Sequence, residues 1–150
     1  MSDALQAAAE LAKPFEGLSL EPYHDPVGYP TIGYGHLLSR EVGAPLARWD
    51  PLPDEEAADD LLDADMGSAA GSVTRLIQVP LTALQAAALI DFAFNCGAGN
   101  LQASTLRRVI NRGEFDAAPA QFRRWVYARG VKLNGLVRRR EAEAQLWMEG

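Results

Sequence analysis

EGLSLEPYHDPVGYPTIGYGH, residues 16–36, alternates Tyr, Val, Thr and Ile with Gly and Pro. That is the composition of short strands separated by turns, and turns are expected near Asp25-Pro26 and Val27-Gly28. Just upstream, Leu5, Ala8, Leu11, Ala12 and Phe15 recur at helical spacing, so a helix is expected over about 3–15. Pro14 removes one helical hydrogen bond and should end or kink it, and Gly17 is a stop signal. Glu16 therefore stands where a helix ends, Asp25 stands nine residues on in a turn, and Thr31 follows six residues later on a strand. A helix end can face a hairpin, so these three side chains can converge on one cleft. Pro30 cannot donate to a strand ladder, which implies that the Thr31 strand starts late or lies at an edge.

Further along, residues 40–53 hold three prolines and read as a connecting loop. Asp54-Glu55-Glu56 sets acids in a first helical turn, where the helix dipole favours them, and a helix is expected to about Gln78, weakened at Gly67 and Gly71. Thr82 and Gln85 have capping-box spacing ahead of a helix over 83–95. Leu84, Ala87, Ala88, Leu89, Phe92 and Ala93 leave that helix apolar on most sides, so it is expected at the centre of the core. Ser104 should cap a short helix ended by Gly113. Asp116 should open another to about Tyr127, and Asn134 a last one to about Met148. Seven of the nine prolines fall between Pro14 and Pro53, while the 25 alanines lie mostly outside that stretch. The order is thus a short helix, a sheet-and-loop section, then helices to the end.

The chain has 150 residues, 48% hydrophobic and 23% charged, enough for one domain with a real core and too apolar for general disorder. No run of about 18 apolar residues is present, so no membrane-spanning helix is expected. The opening MSDALQAAAELAK has neither a basic leader nor a pure apolar block, and a secretory signal is not expected. One cysteine, Cys96, and two histidines, His24 and His36, leave no internal disulfide and little for a metal site; Cys96 reads as a small apolar filler. The net charge of −6 argues against general nucleic-acid binding. Its distribution is uneven: residues 1–100 hold 4 Lys/Arg against 15 Asp/Glu, and residues 101–150 hold 10 against 5. The last third can attract an anionic polymer, or it can simply be a solvated basic helix face.

Two carboxyls facing one cleft suit glycoside hydrolysis. One must be a protonated acid for the leaving oxygen, and the other an ionised base or nucleophile on the opposite ring face. A carboxyl half-buried at a helix end is pushed toward the first role by desolvation, and a carboxylate in a polar turn toward the second. By spacing alone, a Glu and an Asp nine residues apart say little. The whole string says more. Phe15-Glu16-Gly17, followed by Tyr23-His24-Asp25-Pro26-Val27-Gly28-Tyr29-Pro30-Thr31-Ile32-Gly33-Tyr34-Gly35-His36, resembles the phage-type lysozymes, the endolysin muramidases of glycoside hydrolase family 24. The resemblance continues through Leu84–Gly99 (LQAAALIDFAFNCGAG), Ser104-Thr105-Leu106, Asn111-Arg112-Gly113 and Gly135-Leu136-Val137-Arg138-Arg139-Arg140 to Leu146-Trp147 and Gly150, so it covers nearly the whole chain.

The resemblance implies a lysozyme-like α+β fold. A small antiparallel-sheet lobe (about 17–53) would be joined by a long helix (about 54–78) to a larger helical lobe (about 80–150 plus helix 3–15), with a cleft between the lobes. It implies Glu16 as general acid, Asp25 as the base that activates water, and Thr31 as the residue that positions that water. The implied reaction is inverting hydrolysis of the β-1,4 bond between N-acetylmuramic acid and N-acetylglucosamine in peptidoglycan, with no metal or cofactor. Arg139 matches the position that reaches the catalytic glutamate, with Arg138 and Arg140 as alternatives and solvation of all three as the plain reading. His36 reads as structural, paired with Asp65 by family position, and His24 as a neighbour of Asp25. Phe94 and Asn95 end the central helix where substrate is expected, although Asn95 could equally cap that helix. Trp125, Trp147 and Phe122 read as core, and Trp49 as the tryptophan open to solvent. The expected setting is synthesis in a host cytoplasm, release across the inner membrane by a partner such as a holin, action on the wall as a monomer, and host lysis. Two other classes stay open: a glycan-binding module without activity, and a lytic transglycosylase, which needs the glutamate but no aspartate base.

Overall fold

The computed structural model describes residues 2–150 and contains seven α-helices and five short strands among them. Helix α1 covers Ser2–Glu16 and runs through Pro14 rather than breaking there; Gly17, at φ +71°, ends it. A three-stranded antiparallel sheet follows: β1 (Ser19–His24), β2 (Pro30–Gly33) and β3 (His36–Leu37), in the order β1-β2-β3. β2 is therefore the central strand, so of the two readings of Pro30, a late start or an edge position, the edge is overturned. The proline is tolerated because it is the first residue of the strand, paired with His24, and because its carbonyl still accepts Leu38 N–H at 2.8 Å. The register of β1 shifts between Ser19 and Tyr23, around Pro22.

Helix α2 (Glu55–Leu76) passes Gly67 and Gly71 without a break. Helix α3 (Ala83–Cys96) opens with a full capping box: Thr82 Oγ1 accepts from Gln85 N–H at 3.1 Å and Gln85 Oε1 accepts from Thr82 N–H at 3.0 Å. Leu89, Ile90 and Phe92 of α3 are fully buried, as its all-round apolar sequence requires. Helix α4 (Ala98–Ala103) was not expected; α5 (Thr105–Asn111) was, with Ser104 Oγ capping Arg107 N–H at 3.0 Å. Helix α6 (Ala118–Phe122) is much shorter than the helix expected to Tyr127. The chain instead turns into a hairpin of β4 (Tyr127–Ala128) and β5 (Val131–Lys132) before α7 (Asn134–Glu149).

The chain forms two compact units. One comprises Glu16–Asp65: the sheet, the loop after it and the first part of α2. The other comprises the first helix up to Phe15 together with Met66–Gly150. In this helical unit α3 packs mainly against α7, and α6 also lies on α7. Phe92 meets Phe122 and Trp125 edge-on, while Trp147 meets Phe115 edge-on and Phe122 at a tilt. Trp125 and Trp49 are both half-buried, so Trp49 is less open than its proline-rich loop suggested.

Candidate active site

Within the sheet unit, Glu16 is half-buried and lies against the turn between β2 and β3. That turn contains Gly35, at φ +70°. A Cβ placed on Gly35 would stand 2.6 Å from Glu16 Oε2 and 3.0 Å from its Cδ. Only a residue without a side chain lets the backbone approach the carboxyl this closely.

Asp25 is held by the turn that it begins. Its Oδ1 accepts three backbone N–H groups: Val27 at 2.9 Å, Gly28 at 2.8 Å and Tyr29 at 2.9 Å. The main chain closes the same turn, Asp25 N–H donating to Tyr29 O at 2.9 Å and Gly28 N–H to Asp25 O at 2.9 Å. Gly28 makes this possible at φ +106°. None of the three donors binds Oδ2, so the carboxylate is fixed in orientation with one oxygen left to act. Thr31 is buried, and its hydroxyl donates to Tyr29 O at 2.9 Å. The Tyr29 carbonyl thus receives both the Asp25 amide and the Thr31 hydroxyl and ties the two residues to one point. Because its proton is committed there, Thr31 Oγ1 faces any further group as an acceptor.

Tyr23 is the residue that sequence reasoning passed over. It pairs directly with Thr31 across β1 and β2, which puts the two side chains on one sheet face. Burial pushes its phenol above the usual tyrosine range, and the negative charges of Glu16 and Asp25 push it further. Tyr23 is therefore a neutral hydroxyl in the field of both carboxylates. The signal was its place near the end of a strand, two residues before Asp25. His24 points elsewhere: its Nε2 lies 2.8 Å from Ala44 O and anchors the following loop. His36 Nδ1 lies 2.9 Å from Asp65 Oδ2, joining β3 to α2, and Tyr34 donates to Glu55 Oε1 at 3.1 Å on the same helix.

The remaining candidates belong to the helical unit. Arg139 is buried and forms a fork with Asp91, Nε to Oδ2 at 2.9 Å and Nη2 to Oδ1 at 2.7 Å. Its guanidinium also lies over two rings, 5.6 Å from the centroid of Phe15 and 5.8 Å from that of Phe94. Phe15 immediately precedes Glu16 in the chain. Asp91 was not anticipated, although a lone acid in an otherwise apolar helix demands a cation. Arg140 is buried too, while Arg138 is exposed. Arg140 donates to Glu143 Oε2 at 2.9 Å and to Asn95 Oδ1 at 2.8 Å. Its Nε also lies 2.7 Å from Glu143 Oε1, close in distance but off the hydrogen-bonding line. Burial, then the neighbouring Asp91, holds the Glu143 carboxyl well above the usual range. Asn95 thus serves the Arg140 network, and Gly97 rather than Asn95 terminates α3. Cys96 is half-buried with its thiol pushed up to about 11, mainly by burial. Among the described residues no group of three or more His, Cys, Asp or Glu side chains is placed to hold a metal ion, and no helix is long and apolar enough to cross a membrane.

The family profile described as phage lysozyme matches residues 13–143. The chain is 38% identical over 147 residues to the endolysin of Bacillus phage B103, covering 97% of this chain but only 54% of that protein. It is 36% identical to the SAR-endolysin of Bacteriophage PS119, over 90% of this chain and 77% of that protein. Among solved structures, the muramidase domain of SpmX from Asticaccaulis excentricus superposes with a TM-score of 0.81 at 33% identity, covering 95% of each chain. With a profile spanning most of its length and relatives matched over most of theirs, the chain belongs to the phage lysozyme family.

Proposed function

We propose that this lysozyme-type hydrolase is an endolysin muramidase that cuts the β-1,4 bond between N-acetylmuramic acid and N-acetylglucosamine in peptidoglycan, with Glu16 as acid and Asp25 as base. The observation that carries this reading is the local chemistry around Tyr29 O. Asp25 Oδ1 is saturated by three N–H donors, and the Thr31 proton is committed to a carbonyl. A water between them would give one hydrogen to Asp25 Oδ2 and the other to Thr31 Oγ1, turning its lone pair toward an anomeric carbon. Asp25 would take the proton as the bond to water forms. Glu16 would protonate the departing oxygen on the other ring face. Such a displacement inverts the anomeric centre and requires the carboxyls roughly 6.5–9.5 Å apart. Tyr23, neutral between two carboxylates, would donate to whichever is ionised or to the sugar.

Product analysis tests the reading. The protein and its Glu16→Gln variant are incubated with purified peptidoglycan, and the released muropeptide ends are identified by mass spectrometry. Reducing muramic ends from the parent and none from the variant are expected. Anhydro ends would mean transglycosylation and remove Asp25 from the role of base. Retention on the wall without cleavage would leave a glycan-binding module. Release across the inner membrane by a holin-like partner, with lysis as the outcome, belongs to the same proposal.

A further inference from the structure

Residues 117–140 contain seven Lys/Arg and no Asp or Glu. Three of these cations are answered by carboxylates: Arg123 forks onto Glu141 at 2.8 and 2.9 Å, Arg139 onto Asp91, and Arg140 onto Glu143. Arg129, Lys132 and Arg138 are exposed, and Arg124 reaches only the neutral Gln121 Oε1, at 3.1 Å. Arg129 and Lys132 sit on the β4–β5 hairpin, which also carries large apolar groups in solvent: Tyr127 is 63% exposed, Val131 59% and the adjoining Leu133 43%.

The register sorts these side chains. Tyr127 pairs with Lys132, and Ala128 with Val131. Leu133 N–H continues the ladder to Val126 O at 3.0 Å, so Leu133 shares the Val131 face. One face thus presents an aromatic ring and an ammonium, and the other presents two aliphatic side chains. Between the strands, Arg129 and Gly130 make a two-residue turn with φ of 52° and 76°. Such a turn ordinarily takes Asn, Asp or Gly first. Arg129 is the only non-glycine residue at positive φ among the described residues, and it stands at the hairpin tip.

We propose that this hairpin docks the protein on an anionic phospholipid surface. A polyanion alone would account for Arg129, Lys132, Arg138 and Tyr127 but leaves Val131 and Leu133 in water. Met by the edge of the hairpin along β5, so that both faces reach it, a bilayer interface offers phosphates to the cations, a headgroup layer to the tyrosine and acyl chains to the aliphatics. The surplus of acid in residues 1–100 opposes the same surface, so the association is weak, reversible and salt-sensitive. The proposal does not depend on the hydrolase reading, since none of these residues serves the site described above.

The test is co-sedimentation of the full chain with vesicles of equal phosphatidylglycerol and phosphatidylcholine, and with phosphatidylcholine alone, at low and high salt. Binding to the anionic vesicles only is expected. Arg129→Gln with Lys132→Gln should weaken it roughly 25-fold, about fivefold per cation at such a surface. Val131→Ser with Leu133→Ser should remove the part that survives high salt. Arg129→Gly separates recognition from folding: it relaxes the turn and should raise the melting temperature while lowering vesicle binding. Failure of the parent to bind anionic vesicles at low salt would overturn the proposal, as would variants that sediment like the parent. Loss of binding to purified peptidoglycan in the charge variants, with vesicle binding intact, would transfer the hairpin to the wall. A concentration-dependent dimer abolished by the aliphatic substitutions would make it a self-association surface.

Discussion

On the proposed role of Glu16 as acid, replacing Gly35 by alanine should disable the enzyme while leaving it folded, and the size of the effect follows from two distances. The added Cβ would lie 2.6 Å from Glu16 Oε2 and 3.0 Å from Cδ. An unstrained carbon–oxygen contact is about 3.3 Å, so the carboxyl must retreat by roughly 0.7 Å. Displacing a reacting group by about 1 Å costs on the order of a hundredfold in rate, so a loss of ~30–100-fold in kcat is expected, equivalent to about 2–3 kcal/mol of transition-state stabilisation. The backbone adds its own cost, because φ is +70° and an L side chain there is worth roughly 1–2 kcal/mol of strain. A stiffer unfolded chain offsets ~0.4–1 kcal/mol of that. The melting temperature should fall by no more than about 6 °C. Gly43→Ala is the control: φ there is +76°, but nothing lies within 4 Å of the added Cβ. It carries the same strain without touching a carboxyl. Reducing-end release from peptidoglycan and thermal denaturation are measured on both variants. If both lose similar stability and both keep parental activity, the reasoning fails, because the Glu16 carboxyl would not need the space above Gly35.

Three further outcomes are expected. Tyr23 has its pKa raised by burial and then by Glu16 and Asp25, so the folded protein holds that proton longer than the unfolded chain. The associated stability is complete below the unfolded value of about 10 and is lost as pH rises through the folded one, so urea midpoints should fall less steeply above pH ~10 in Tyr23→Phe than in the parent; parallel curves would exclude this. Asp91→Asn removes the carboxylate that forks onto the buried Arg139 and should cost about 1.5–3 kcal/mol in urea denaturation, the worth of a charged hydrogen-bonded pair, whereas an effect below ~1 kcal/mol would mean that the fork is replaceable. With its thiol near 11 rather than 9.0, Cys96 should react with a disulfide reagent at neutral pH roughly 10-fold more slowly in the folded protein than in denaturant, because the smaller thiolate fraction is half offset by greater nucleophilicity, and equal rates would contradict its shielding.

Much of the architecture was legible because it rests on neighbours in sequence. The capping box at Thr82 and Gln85, the Ser104 cap and the stop at Gly17 are each decided within four residues. The Asp25 turn is equally local, since all three donors to Oδ1 lie two to four residues downstream. The β4–β5 hairpin was hidden for the opposite reason. Its turn uses Arg-Gly where Asn-Gly would announce itself, and its strands are only two residues each, too short for an alternating pattern to show.

The sequence by itself determined the helix-sheet-helices order, the places of α1, α2, α3, α5 and α7, and the string that carries Glu16, Asp25, Thr31 and Gly35, because these depend on short-range backbone geometry and residue type. Only the tertiary structure decided which charges are matched. Asp91 and Arg139 lie 48 residues apart, and nothing local selects Arg139 over Arg138 as the buried partner. The same holds for Pro30, whose central place in the sheet is allowed by the Leu38 amide that returns to its carbonyl, and for the phenol of Tyr23, which meets two carboxylates only once β1 and β2 are in register. Such partnerships arise from long-range packing, where an unpaired buried charge or an unanswered carbonyl costs more than any local propensity can return.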